Sequence, residues 1–142
     1  MDGTPRRPGP TSEIVDMLFA VTDHLKAQFA DIAAGERLTV VQARTVLRIY
    51  GPVPMRALAA RMGYDASNMT GIVDGLESRG LVERKVLPAD RRVKHVELTG
   101  HGVEVRDRMR EQLAEDAPAI GRLDEADRVA LHAILSRAVE RS

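Results

Sequence analysis

Apolar residues recur at helical spacing from the start of the chain. Ile14, Leu18, Val21, Leu25 and Ile32 follow one another at steps of three, four and seven, and Val15, Phe19, Thr22 and Phe29 widen the stripe. This predicts a helix opened by Thr11 or Ser12 and broken at Gly35. Thr39-Val-Val-Gln42 has the form of a capping box, in which Thr39 accepts from the Gln42 amide and Gln42 reaches back. The helix it opens carries Ala43, Val46, Leu47 and Tyr50 and stops at Gly51-Pro52. Pro54 suits a first helical position, before a short helix through Leu58, Ala59 and Met62 that Gly63 ends. Asp65 caps the next helix, whose apolar set Met69, Ile72, Val73 and Leu76 lies on one face, with Gly80 beyond its end. The period then changes. Leu81–Leu87 and Val93–Leu98 partly alternate apolar and polar residues, as two strands of a hairpin do, and residues 88–92 form a polar turn between them. Thr99 caps a further helix to about Ala117, Pro118 and Gly121 interrupt it, and a last helix runs from about Asp124 to Val139.

The expected fold is mainly α with a small β-hairpin wing: a winged helix-turn-helix with flanking N- and C-terminal dimerisation helices. Residues 1–11, rich in Pro and Gly, read as a disordered tail. Residues 12–37 form the N-terminal dimerisation helix, 38–99 the winged helix-turn-helix and 100–142 the C-terminal dimerisation helices. The outer helices carry more apolar surface than one small winged helix can cover, including Ile14, Leu18, Leu25, Phe29, Leu113, Ile120, Leu131, Ile134 and Leu135. A two-fold partner would cover it.

The second helix of a helix-turn-helix lies in the major groove, with its N-terminal residues at base edges. With Met69, Ile72, Val73 and Leu76 turned to the core, Ser67, Gly71, Asp74 and Ser78 point outward and Asn68 and Thr70 flank them. Ser, Thr and Asn are short polar groups suited to phosphate and base contact, and Asn can bond adenine in two places. Gly71 removes a side chain where the helix would press on the groove.

Charge sharpens this reading. The chain has 21 basic and 21 acidic residues, a formal net charge of zero. Yet residues 51–96 hold 8 basic groups (Arg56, Arg61, Arg79, Arg84, Lys85, Arg91, Arg92, Lys94) against 5 acidic ones, while residues 97–142 hold 7 against 10. The positive excess falls on the helix-turn-helix and hairpin. Arg79, Arg84, Arg91, Arg92 and Lys94 are the candidate DNA-contacting cations, and Arg91 and Arg92 at the hairpin tip suit a phosphate backbone or a narrow minor groove. Asp90 beside them is expected to orient a wing arginine. The acidic remainder predicts weaker indiscriminate binding to polyanions than a uniformly basic protein shows.

Four stretches resemble the multiple antibiotic resistance regulator (MarR) family of bacterial winged-helix repressors: Leu38-Thr39 with Gln42; Leu58-Ala59 with Gly63; the run from Ser67 to Arg84; and Asp90-Arg-Arg92 with Leu98-Thr99 and Gly102. The flanking helices agree in order, so the resemblance extends over residues 12–140. It implies a homodimer with interlocked terminal helices and two winged helices on a palindromic operator in double-stranded DNA. It also implies that Arg92, with Arg91, enters the minor groove and that Asp90 is the salt-bridge partner. Many members carry a basic residue where this chain has Gly71 or Gly75, so specificity here leans on Ser67, Asn68, Thr70 and DNA shape. Members often bind a lipophilic or phenolic effector, for which Met17, Phe19, Phe29, Val41, Tyr50 and Met55 could line a pocket.

Other classes fit less well. Aromatics are 3% of residues, too few for the stacking platforms of single-strand or RNA binders. The absence of Cys removes disulfides, thiolate zinc sites and thiol-based sensing. His95 and His101 lie near Glu97, Glu104 and Asp107 in sequence, but their spacing matches no zinc pattern, and no cofactor is expected. No glycine-rich phosphate loop or nucleophile elbow marks an enzyme. Neither a signal peptide nor a membrane span is visible, so a cytoplasmic protein is expected. The expected function is that of a DNA-binding transcriptional regulator, a repressor that a small molecule could release. The alternatives are a winged helix that docks protein, which would not need the basic tip, and a metal-responsive regulator.

Overall fold

The computed structural model describes residues 9–115 and 117–140; of Asp90, Pro118 and Ala119 it describes the backbone alone. The elements are α1 (Pro10–Gly35), α2 (Val40–Leu47), β1 (Val53–Pro54), α3 (Met55–Met62), α4 (Ala66–Ser78), β2 (Val82–Leu87), β3 (Asp90–Leu98), α5 (Gly100–Glu115), α6 (Pro118–Gly121) and α7 (Glu125–Val139). They fall into two compact units, residues 29–114 and the described parts of 1–28 with 115–142.

The 29–114 unit is the winged helix. Its core gathers Ile32 and Ala33 from the end of α1, Ala43 and Val46 from α2, Leu58 and Met62 from α3, and Met69, Val73 and Leu76 from α4. Val82, Val96 and Leu98 of the sheet and Val105 and Met109 of α5 complete it. The three strands lie in the order β1-β3-β2, all antiparallel.

Local signals set the boundaries. The Thr39 hydroxyl accepts from the Gln42 amide, and the Thr39 amide donates to Gln42 Oε1, both at 3.1 Å, closing the predicted capping box. Gly63 (φ 69°) and Gly80 (φ 70°) follow α3 and α4 in the left-handed conformation that glycine adopts without steric cost. Thr99 caps α5 by accepting from the Gly102 amide, and its hydroxyl donates to the Gly80 carbonyl, tying the root of the wing to the end of α4.

Several expectations are corrected. Helix α1 begins at Pro10, before the predicted caps, so residues 10–11 of the expected tail are helical, and residues 1–8 of it lie outside the described residues. Helix α2 ends at Leu47 rather than near Tyr50, because the Arg48 amide turns back to the Thr45 carbonyl and the Ile49 amide to the Val46 carbonyl. Pro54 is the cap of α3 rather than its first residue, and with Val53 it forms a short strand that the sequence pattern does not reveal, paired with His95 and Val96. The wing turn is Pro88-Ala89 alone, and Asp90, Arg91 and Arg92 already belong to β3. A register irregularity at Val86/Leu87 brings Leu87 opposite Asp90 and shortens the turn. The segment expected as an interruption at 118–121 is the short helix α6.

The other unit presents apolar residues to solvent. In α1, Ile14, Met17, Leu18 and Phe19 are 47–65% exposed, and in α7, Val129, Ile134, Leu135 and Val139 are 40–74% exposed. Helix α7 has no buried residue. No described helix is long and apolar enough to cross a membrane.

Candidate nucleic-acid interface

Helix α4 has two faces. Met69, Val73 and Leu76 are fully buried, while Ser67, Asn68, Thr70, Gly71 and Asp74 are all exposed. Asp65, just before the helix, organises the exposed end. Its Oδ1 accepts from the Asn68 backbone amide and the Ser67 hydroxyl, each at 2.8 Å, and its Oδ2 accepts from Asn68 Nδ2 at 3.0 Å. The Asn68 amide, then the Ser67 hydroxyl, hold the Asp65 carboxyl below the usual carboxylate range. The Thr70 hydroxyl donates to the Ala66 carbonyl at 2.8 Å. A Cβ at Gly71 would meet open space, so nothing within the fold requires glycine there. Gly75 differs: a Cβ there would come within 2.8 Å of Gln42 Nε2, so it serves the contact between α2 and α4.

The candidate cations divide into two groups. Arg79 donates to the backbone carbonyls of Glu36, at 3.1 Å, and of Arg37, binding the end of α4 to the turn after α1. Arg84 of β2 donates to Asp74 and Glu77 of α4. It ties the wing to α4 and neutralises two carboxylates exposed on that helix. Both side chains are therefore committed within the fold. So is Lys85, paired with Glu83 at 2.8 Å and Glu97 at 3.0 Å, whose hydrogen bonds raise its pKa. Arg91, Arg92, Val93 and Lys94 are exposed along β3. Arg91 and Lys94 enter no ion pair among the described residues. The orienting role expected of the Asp90 side chain lies outside what the structure describes.

Sequence reasoning passed over two cations that the fold brings forward. Arg56 and Arg61 are exposed on α3, the first helix of the helix-turn-helix, without ion pairs among the described residues. That helix crosses the DNA backbone in proteins of this architecture, which is the signal that would have drawn them in. Asp65 was legible as a cap, but its hold on two neighbouring side chains was not.

Of the residues named for an effector, Phe29 and Met55 pack partly buried against the core, Val41 is half-buried, and Met17 and Phe19 are exposed. Tyr50 is exposed and stacks under the Arg110 guanidinium, 4.8 Å from the ring centroid, which also donates to the Tyr50 hydroxyl. His95 is buried with Nδ1 at 3.1 Å from the Val93 carbonyl, and His101 lies 3.8 Å from Glu104. Among the described residues, no three His, Asp or Glu side chains converge to hold a metal ion.

Residues 38–94 match the family model described as the MarR family. The HTH-type transcriptional repressor NicR of Pseudomonas putida is 30% identical over 99% of this chain and 89% of its own length. Among solved structures, RV1404 of Mycobacterium tuberculosis superposes with a TM-score of 0.73 at 29% identity, covering 94% of this chain and 95% of its own. A probable transcriptional regulator of Pseudomonas aeruginosa does so with a TM-score of 0.67 at 26% identity, covering 88% and 96%.

Proposed function

The chain belongs to the MarR family of transcriptional regulators, and on that premise we propose that it binds double-stranded DNA as a homodimeric repressor on a palindromic operator. The observation that carries this is the exposed polar end of α4, with Ser67, Asn68, Thr70 and the bare Gly71, joined through Arg84 to a wing that bears Arg91, Arg92 and Lys94. Helix α4 would enter the major groove. The wing cations would follow the backbone into the adjacent minor groove, and Arg56 and Arg61 would approach phosphates from α3. Arg79 and Arg84 serve the interface by fixing α4 and the wing rather than by touching DNA.

The exposed apolar residues of α1 and α7 favour a second copy as their cover. A two-fold pair would set its recognition helices roughly 34–36 Å apart, one DNA turn, which is why the operator would be palindromic. Residues 12–37 and 100–142 would then supply the dimer contacts and residues 38–99 the DNA contacts. Repression follows the function printed for NicR, the relative that matches nearly the whole chain. Release by a small lipophilic or phenolic effector is part of the same reading. Phe29, Val41 and Met55 would offer apolar surface, and the Arg110–Tyr50 stack would offer a cation and an aromatic edge.

The test is selection of binding duplexes from a randomised pool by the full chain, with sedimentation of the complex. An enriched inverted repeat bound by two chains is expected. Failure to enrich any duplex over a scrambled control rules the reading out.

A further inference from the structure

The hydroxyls and the amide at the start of α4 share a property that bears on which bases they can read. A hydroxyl has one proton to donate and two lone pairs to accept with. The Ser67 proton goes to Asp65 Oδ1 and the Thr70 proton to the Ala66 carbonyl, each at 2.8 Å. The Ser78 proton, further along the helix, goes to the Gly75 carbonyl at 2.9 Å. Asn68 gives one Nδ2 proton to Asp65 Oδ2 at 3.0 Å. A carboxylate only accepts, so this bond fixes the amide: nitrogen toward Asp65, Oδ1 away from it. Redirecting Ser67 or Asn68 to donate elsewhere would break a hydrogen bond to a charged acceptor, a bond stronger than a neutral pair. Ser67 thus retains only lone pairs for a ligand, as does Thr70 while its hydroxyl bonds the Ala66 carbonyl. Asn68 retains Oδ1 and a single proton.

In the major groove, adenine N6 and cytosine N4 are donors, whereas guanine N7 and O6 and thymine O4 are acceptors. We propose that the N-terminal turn of α4 reads the amino groups of adenine and cytosine, and that Asp65 is the positioning residue that fixes this preference. The inference rests on the DNA-binding reading and deepens it. It gives Asp65 a function beyond capping. A carboxylate at the DNA-facing end of a helix would otherwise oppose binding to a polyanion, and here it is occupied in orienting two readers. Gly71 complements the arrangement, since an outward side chain one turn after Ser67 would hold the acceptors back from the base edges.

The experiment uses duplexes enriched by the full chain from a randomised pool. Each adenine of the enriched half-site is replaced in turn by purine deoxyriboside, which lacks the amino group, and by 7-deazaadenine, which lacks N7. Each cytosine is replaced by 2-pyrimidinone deoxyriboside, and each guanine by 7-deazaguanine. Loss of an amino group at one or more positions is expected to weaken binding about 3- to 10-fold, the value of a single hydrogen bond. Removal of N7, an acceptor, from guanine is expected to leave affinity within about twofold, less than the loss of one hydrogen bond. The Asp65→Asn variant can still accept the Asn68 backbone amide but cannot orient both side chains. It is expected to keep its helical circular dichroism and to lose the amino-group preference in a repeated selection, admitting guanine or thymine at those positions. Asp65→Ala should do the same. An enriched site indifferent to every amino removal, or an unchanged selected sequence with folded Asp65→Asn, overturns the inference and leaves DNA binding standing. Failure to enrich any duplex overturns both.

Discussion

Glu36 and Arg108 meet end to end. Arg108 Nε and Nη2 donate to Glu36 Oε1 and Oε2, both at 3.0 Å, across 72 residues of sequence. The pair joins the turn after α1 to α5, and the Glu36 carbonyl also accepts from Arg79 at the end of α4. The Arg108 hydrogen bonds hold the Glu36 carboxyl below its usual range of about 4.5. A carboxyl depressed in the folded state contributes its stability fully above the ordinary carboxylate pKa, and loses it as pH falls through the folded value. Glu36→Gln is therefore expected to lower the melting temperature by a few degrees at pH 7. The gap from the unchanged protein should narrow as pH falls below the ordinary glutamate value and close only below the depressed folded value, where Glu36 is protonated and as neutral as the glutamine. A gap that stays constant from pH 7 to pH 3 would show that the ionised pair is not its source.

The two groups of cations predict different salt behaviour. Arg91 is expected to act on phosphate, so Arg91→Ala should weaken binding on every duplex and lower the slope of log affinity against log salt by about 1. Arg92→Ala should do likewise if its contact is to phosphate. Arg84 makes its bonds to Asp74 and Glu77 within the protein. Removing it leaves two carboxylates on α4 uncompensated and the wing untied. Arg84→Ala should thus lower thermal stability as well as affinity, and Asp74→Asn combined with Glu77→Gln in that background should recover part of the affinity. A stability equal to that of the unchanged protein would remove the brace from the account.

Two glycines separate folding from binding. Gly71→Ala adds a methyl group into open space on an exposed helical face. Alanine is a better helix former than glycine by about 1 kcal/mol, so the variant should melt no lower than the parent while binding its selected operator less tightly. Gly102 lies where α5 crosses the root of the wing, and a Cβ there would overlap the Leu81 carbonyl. Gly102→Ala is therefore expected to cost about 1–3 kcal/mol in chemical denaturation, the usual range for overpacking against a fixed neighbour. Reversed ranks for the two variants in denaturation would contradict the assignment.

These contrasts also show which parts of the fold were legible in the sequence. The capping box at Thr39 and Gln42, the cap at Asp65 and the glycine stops at Gly63 and Gly80 are short-range events, settled by residues within four positions of each other. Sequence spacing exposes such events directly. Strand β1 has only Val53 and Pro54, too short for any alternation, and exists because β3 lies beside it. Arg79 and Arg84 look like surface cations in a basic stretch. Their partners lie 43 residues away at Glu36 and on the outer turns of α4, distances at which charge counting carries no information. The alternation of residues 81–87 and 93–98 predicts the wing, but nothing in it marks the irregularity at Val86/Leu87 that shortens the turn.

The proposed pairing with a second copy can be tested at the exposed apolar faces of α1 and α7. Phe19 is 65% exposed on α1 and Ile134 is 53% exposed on α7, and neither belongs to the core of the 29–114 unit. An aspartate at either position should leave the winged helix folded while placing a charge in the surface that a second copy would cover. Burying an unpaired carboxylate is costly enough to drive the pair apart. Phe19→Asp and Ile134→Asp should therefore sediment as monomers with near-native helical content. Each monomer would then hold one half-site without the tethering of its twin. Such tethering is commonly worth about 10²–10⁴-fold, so affinity for a selected inverted repeat should fall on that scale. Affinity for an isolated half-site should change little. Persistence of the dimer in both variants would place the interface elsewhere, whereas monomers that keep full operator affinity would show that one winged helix suffices.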